Sequence, residues 1–205
     1  MTKINQFDYH IFKDINDLAG THHWLDRFME FLANDAVIFL ILGFIFYWFI
    51  NRNKYGIMVI QAGLSVVLSL GVNAILHHFI YRARPFVGHH VHKLIQHSAD
   101  SSFPSDHSVF AFSIAATFFL YNKKHGVSWL LLACGIAFSR VWVGVHYPLD
   151  VTAGALVGII VSLFLYNLNQ NNKFYQKMIS QIITVYERIF SRVLNKNKTE
   201  YNSKN

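Results

Sequence analysis

The chain is expected to fold as an all-α integral membrane protein: a bundle of about five transmembrane helices, led by an N-terminal interfacial helix and followed by a basic amphipathic C-terminal helix. Three observations carry this. Of 205 residues, 53% are hydrophobic and 14% charged, which is too apolar for an ordinary soluble domain. Apolar runs at about 35–51, 55–80, 106–122, 127–145 and 151–169 each approach the ~20 residues that cross a bilayer. The basic residues behind a net charge of +7 fall in short clusters between or after those runs, which reads as topology rather than as a nucleic-acid surface.

Taken in order, residues 1–33 mix Asp, Lys and His with spaced apolar residues and lack the order of a signal peptide, so no removal is expected. Trp24, Phe28, Phe31 and Leu32 share helical spacing while Asp26, Arg27 and Glu30 take the other face, which predicts an interfacial helix over about 5–33 leading into the first span. Arg52 and Lys54 separate spans one and two, and Lys123 and Lys124 separate three and four. By the positive-inside rule these turns and the tail are cytoplasmic. The N-terminus, the loop 82–105 and the connection 146–149 then face the extracytoplasmic side. Residues 1–170 read as one membrane-embedded domain. The tail, 171–205, sets Lys173, Lys177, Arg188, Arg192, Lys196, Lys198 and Lys204 against Phe174, Ile179, Ile182, Ile183, Tyr186 and Phe190, and is expected to lie on the anionic inner leaflet. The single cysteine, Cys134, sits in an apolar run and is expected to pack. Gly154-xxx-Gly158 predicts close helix packing.

Charge within so apolar a chain costs free energy and points to function. Three polar islands stand at the ends of apolar runs, all on the extracytoplasmic side. In Ser139-Arg140-Val-Trp-Val-Gly-Val-His146-Tyr-Pro-Leu-Asp150, Pro148 forces a turn that lets Asp150 cap the following helix and reach back to His146. A carboxylate on one imidazole nitrogen leaves the other free as nucleophile or base. Arg140 offers a fork of donors to phosphate, with Ser139 as a further hydroxyl donor; the plainer readings are a snorkelling arginine and a packing serine. In Phe103-Pro104-Ser105-Asp106-His107-Ser108, Ser105 or Asp106 starts a helix whose free amides attract an anion, and His107 is placed as a general acid. In Tyr81-Arg82-Ala83-Arg84-Pro85-Phe86, Arg84 is a second phosphate clamp, while Arg82 reads as a membrane-boundary cation. His89, His90, His92 and His97 of the outer loop lack the companions of an established metal site, so no metal is assigned.

Together the islands resemble the signature of the type 2 phosphatidic acid phosphatase superfamily: K-x6-R-P, then P-S-G-H, then S-R-x5-H-x3-D. The third part is complete in Ser139-Arg140, His146 and Asp150; the second is Pro104-Ser105-Asp106-His107, with Asp106 where glycine is usual; in the first, His77 stands at the position of the lysine. The P-S-D-H form is similar to the bacterial undecaprenyl-diphosphatase branch of the bacitracin-resistance type. The resemblance implies a metal-free and cofactor-free lipid phosphatase. In it His146 is the nucleophile, Asp150 its orienter and His107 the acid, with a phosphate site of Arg84, Arg140, Ser105, Ser139, Asp106 and His77. It implies a polyprenyl diphosphate substrate, a phosphohistidine intermediate, and recycling of the cell-wall carrier lipid with resistance to bacitracin. A broader lipid phosphatase, acting on phosphatidic acid or phosphatidylglycerol phosphate, and a membrane transporter or metal-binding protein are the alternatives.

Overall fold

The computed structural model describes the backbone of residues 3–202 and the side chains of 5–186, 188 and 189. Among these residues the regular structure is helical: α1 (Lys3–Asn16), α2 (His23–Asn34), α3 (Ala36–Ile50), α4 (Arg52–Phe79), α5 (Pro85–Gly88), α6 (Asp106–Tyr121), α7 (Lys123–Trp142), α8 (Pro148–Asn171) and α9 (Lys173–Asn202). The predicted apolar runs become α3, α4, α6, α7 and α8. α4 and α8 are each long and apolar enough to cross a membrane, and α2 with α3 passes the same test as a pair bent by 50°.

The outer surfaces of these helices are apolar and their contacts with one another are partly polar. Phe39, Leu42, Phe46, Val67, Ile75, Ile160 and Phe164 point outward, while Gln61, Ser65, Ser69, Asn73, Ser113, Thr117 and Ser162 are buried. The buried hydroxyls satisfy one another: Ser65 pairs with Ser162 at 2.7 Å, Ser113 donates to Ser69 at 2.9 Å, and Thr117 donates to Ser162 at 3.2 Å. A lipid surround gives apolar outer faces no reason to turn inward, and interhelical hydrogen bonds then join the helices. Single asparagines link consecutive helices. Asn51 and Asn122 accept the Lys54 and His125 amides at 3.0 and 3.3 Å, capping α4 and α7, and Asn172 accepts the Tyr175 amide of α9 at 3.0 Å.

α6 lies at the centre, packed on α4, α7 and α8. Gly154 and Gly158 permit α8 to approach α6 closely. A Cβ at Gly154 would stand 2.6 Å from the Ser105 carbonyl oxygen, and one at Gly158 would stand 2.8 Å from both Val109 O and Ser113 N. The expected outcome of Gly154→Ala is a loss of about 1–3 kcal/mol in stability, read as a lower thermal midpoint in detergent. Phosphatase activity should fall with it, because the displaced atom belongs to the Ser105 turn. Gly158→Ala, a turn farther along, should lower the midpoint with less effect on activity.

Two expectations are corrected. The interfacial helix over 5–33 is two helices, α1 and α2, with a turn in which Gly20 adopts φ +84°. In α2, Trp24, Phe28 and Phe31 are exposed and Asp26 is buried, where its carboxylate accepts the Trp142 Nε1–H and the Gly20 amide, both at 3.0 Å. Cys134 is exposed, since Ala133, Ile136 and Ala137 take the inner side of α7. In the tail, Tyr175 and Ile179 are buried with Val161 and Leu165 of α8, and Tyr186 meets Trp48 edge-on at 4.8 Å. Phe174, Ile182, Lys173, Lys177 and Arg188 are exposed. The side chains of Phe190, Arg192, Lys196 and Lys198, and all of Lys204, lie outside the described residues.

Candidate functional site

The three polar islands meet at one end of the helices. α7 ends at Trp142, and the chain reverses through Gly144 at φ +82°, where a Cβ would lie 2.7 Å from the His92 carbonyl; only glycine fits this turn. The His146 amide then donates to the Arg140 carbonyl at 3.2 Å, and Pro148 begins α8. His146 is thereby held in the interior, 2% exposed.

The neighbours of His146 fix its tautomer. Arg84 Nη1 lies 3.1 Å from Nε2 and can only donate, so Nε2 accepts. The Ser102 carbonyl lies 2.9 Å from Nδ1 and can only accept, so Nδ1 carries the proton. Burial, then the charges of Arg140, Arg84 and His97, push the His146 pKa well below its usual value, which keeps the ring neutral with a lone pair on Nε2. Asp150 differs from its expected geometry. Its Oδ2 stands 3.7 Å from Nδ1, and the direct acceptor is Ser102. Asp150 is also not the cap residue: it is the third residue of α8, and its carboxylate reaches back to the Tyr147 amide at 2.8 Å.

The two arginines differ in kind. Arg84 is fully engaged, donating to Asp100 Oδ1 at 2.7 Å, Val145 O at 3.0 Å and Ser101 O at 3.2 Å besides His146. Asp100, despite the opposing effect of burial, is held below its ordinary pKa by hydrogen bonds from Ser98 and Arg84. Arg140 is 1% exposed and donates from Nη1 to Ala33 O at 2.9 Å, while Nε and Nη2 have no partner among the described residues. Nε and Nη2 form one edge of the guanidinium, the edge that presents parallel donors to two oxygens of a phosphate or carboxylate. The buried Ser105 hydroxyl at the start of α6 is likewise without a partner. Buried donors without acceptors are costly, and a free guanidinium edge is suited to an anion.

The remaining expected residues have other partners. Ser139 donates its hydroxyl to Ile136 O at 2.7 Å. Asp106 accepts from Asn73 at 2.6 Å and lies 3.7 Å from His77, whose Nε2 is 2.8 Å from the Pro104 carbonyl. His77 and Asp106 therefore brace the Pro104–Ser105 turn. His107, in the first turn of α6, borders a cavity of ≈340 Å³ otherwise walled by Asn34, Val37, Ile38, Leu70, Asp106 and Phe110. A second cavity, ≈660 Å³, shares Asn34 with it and is lined by His23, Asp26, Arg27 and Glu30 among others. The outer-loop histidines separate. His89 stacks on Tyr9 at 4.1 Å, His92 is held through its backbone by Asn16, and His97 faces His146 at 6.2 Å between ring centroids.

Sequence reasoning missed Arg82, Asp8 and Ser102. Arg82 donates to Asp150 at 2.7 Å and to Asp8 of α1 at 2.6 Å, so it is the half-buried centre of two ion pairs and not a boundary cation. Its signal was available: Arg82 and Arg84 are two apart on an extended segment, which places both on one face. Asp8, far away in sequence, carried no such signal.

Comparison with known proteins shows the family and the fold. The model of the PAP2 superfamily matches residues 58–174. The chain is 40% identical over 95% of its length to the Bacitracin transport permease protein BcrC of Bacillus licheniformis, of which it covers 95%. It is 33% identical over 95% of its length to the Undecaprenyl-diphosphatase BcrC of Bacillus subtilis (strain 168), of which it covers 99%. Among solved structures, LpxE of Aquifex aeolicus superposes with a TM-score of 0.68 at 29% identity, over 78% of this chain and 94% of that one.

Proposed function

The chain belongs to the PAP2 superfamily, and from that premise we propose that it is an undecaprenyl-diphosphate phosphatase of the bacterial plasma membrane. The observation that carries the reading is the vacant donor edge of Arg140 beside a neutral, buried His146. His146 Nε2 attacks the terminal phosphorus, and the phosphate oxygens take over the Arg84 N–H that now rests on Nε2. Arg84, the free edge of Arg140, the Ser105 hydroxyl and the first amides of α6 hold the charge that develops. The P–O bond to the lipid monophosphate breaks as His107 supplies a proton to the departing oxygen. Water, deprotonated by His107, then cleaves the phosphohistidine to inorganic phosphate. Two guanidinium groups and a helix start supply the electrostatic stabilisation, so no metal or cofactor enters these steps.

The two cavities that share Asn34 match an amphiphile: one is largely polar, the other mainly apolar and bordered by His107. The prenyl chain occupies the second. Residues 1–170 form the phosphatase domain with five spans, its site on the extracytoplasmic face. The cytoplasmic side carries Arg52, Lys54, Lys123 and Lys124 and the amphipathic tail 171–205. Regenerating the carrier monophosphate serves cell-wall synthesis and removes the target of bacitracin. The transport name of one relative has a weaker counterpart here, because the polar side chains between the spans are closed into hydrogen bonds with one another.

The test is phosphate release from undecaprenyl diphosphate by purified protein in detergent with chelator, in competition with phosphatidic acid and phosphatidylglycerol phosphate. Chelator-resistant release that the other lipids compete against only weakly is the expected result; preference for a glycerolipid overturns the substrate assignment. Leu70→Trp, which fills the apolar cavity, should raise KM for the prenyl substrate about tenfold with a smaller change for a water-soluble phosphate ester.

A further inference from the structure

Arg82 governs both oxygen groups that face Nδ1 of His146. Its side chain holds Asp150, donating to Oδ1 at 2.7 Å while Oδ2 stands 3.7 Å from Nδ1. Its backbone holds Ser102, whose amide donates to the Arg82 carbonyl at 2.8 Å and whose own carbonyl accepts from Nδ1 at 2.9 Å. The guanidinium is fixed by Asp150, by Asp8 at 2.6 Å and by the face of Tyr147, 4.0 Å from Cζ to the ring centroid. Asp8 is 1% exposed, and its other oxygen accepts the Leu149 amide at 2.9 Å, one residue before Asp150. Phe12, a turn later in α1, packs against Tyr147 with centroids 5.4 Å apart. The family model matches from residue 58, so Asp8 and Phe12, the α1 side of this clamp, lie outside the matched region.

One half-buried arginine between two buried carboxylates cannot neutralise both, and how its charge is divided determines how much of the Asp150 charge reaches His146. From this geometry we infer that Arg82, anchored by Asp8, is a positioning residue that sets the electrostatic support Asp150 gives to His146, which makes helix α1 part of the catalytic apparatus. The inference rests on the reading of His146 as nucleophile. At rest the neutral ring needs only an acceptor for Nδ1–H, and Ser102 provides it. Once Nε2 carries the phosphoryl group the ring is cationic, and the carboxylate at 3.7 Å is the group that stabilises it. Asp8 draws Arg82 away from Asp150 and so leaves that carboxylate more of its charge.

The charged and titratable groups around His146 are Arg84, Arg140, His97, His107 and Asp150, with Arg82 and Asp8 behind Asp150. The full-length Asp8→Asn and Arg82→Gln variants, assayed on undecaprenyl diphosphate across pH, test the inference. Asp8→Asn keeps the shape and removes the charge; kcat should fall about 10- to 100-fold with KM little changed. The acidic limb of kcat/KM should move to lower pH, because the ring loses anionic support. Arg82→Gln removes a cation and should move that limb to higher pH. Opposite shifts are a signature that a merely structural role does not produce. Asp8→Glu should restore most of kcat. An unshifted limb in Asp8→Asn, or shifts in the same direction, overturns the inference, as does a change confined to KM. Where Arg82→Gln shows no thermal transition, the Asp8→Asn and Asp8→Glu pair decides alone. An inactive wild type counts against the functional reading; an active wild type with unshifted variants counts against this inference alone.

Discussion

Replacing His146 with alanine is expected to lower kcat by at least about a thousandfold and to abolish labelling of the protein by substrate radiolabelled in its terminal phosphate. The label on the wild type should be lost in acid and retained in base, as a phosphoimidazole is. The expectation follows from the tautomer. Arg84 and Ser102 leave only one arrangement of the ring proton, and it places the lone pair on Nε2, the nitrogen that shares Arg84 with the incoming phosphate. The same environment sets the pH profile. Neutral imidazole is the reactive form, and burial among cations lowers the pKa of His146 below the ordinary value of 6.5. Activity that depends on this group should therefore persist as pH falls through 6.5, and be lost only when pH falls through the lowered value. Full activity in His146→Ala, or an acidic limb above the usual histidine range, would remove His146 from the nucleophile's position.

The helices were legible in sequence because lipid imposes a single demand on each, a long run of apolar residues, and the helices α3, α4, α6, α7 and α8 stand where those runs do. The two faces of α2 were legible as well, though not what each would meet. Helical spacing identified its two faces, but in a membrane the aromatic face turns outward, and Asp26 is buried because Trp142 and the Gly20 amide can satisfy it there. Motif spacing marked Arg84, Ser105, His107, Arg140, His146 and Asp150, whose elements the fold brings to one end. It could not tell which of them already had partners. Ser139 and Asp106 look as available in sequence as Ser105, yet Ile136 O and Asn73 occupy them. Asp8 and the Ser102 carbonyl escaped because one acts across 141 positions in sequence and the other through its backbone.

Arg140→Met should make the substrate-free protein more stable while lowering kcat/KM by about 10²–10³-fold. The wild-type side chain is buried with one hydrogen bond, to Ala33 O, and a charged edge without a partner. Methionine preserves most of the volume along the stem and removes the buried charge, a kind of exchange that gains about 1–4 kcal/mol where the ionic partners are incomplete. Inorganic phosphate separates this from ordinary repacking. Bound at the free edge, it should raise the thermal midpoint of the wild type, by the equivalent of about 2.7 kcal/mol at a hundredfold excess over its Kd, and leave that of Arg140→Met unmoved. Arg140→Lys keeps a charge but loses the parallel donors, and should recover little of the activity. A methionine variant that is destabilised yet still responds to phosphate would place the anion elsewhere. The opposite pair of results would mean that the protein holds an arginine in an unfavourable place because Ala33 fixes the one free edge toward the oxygens it has to bind.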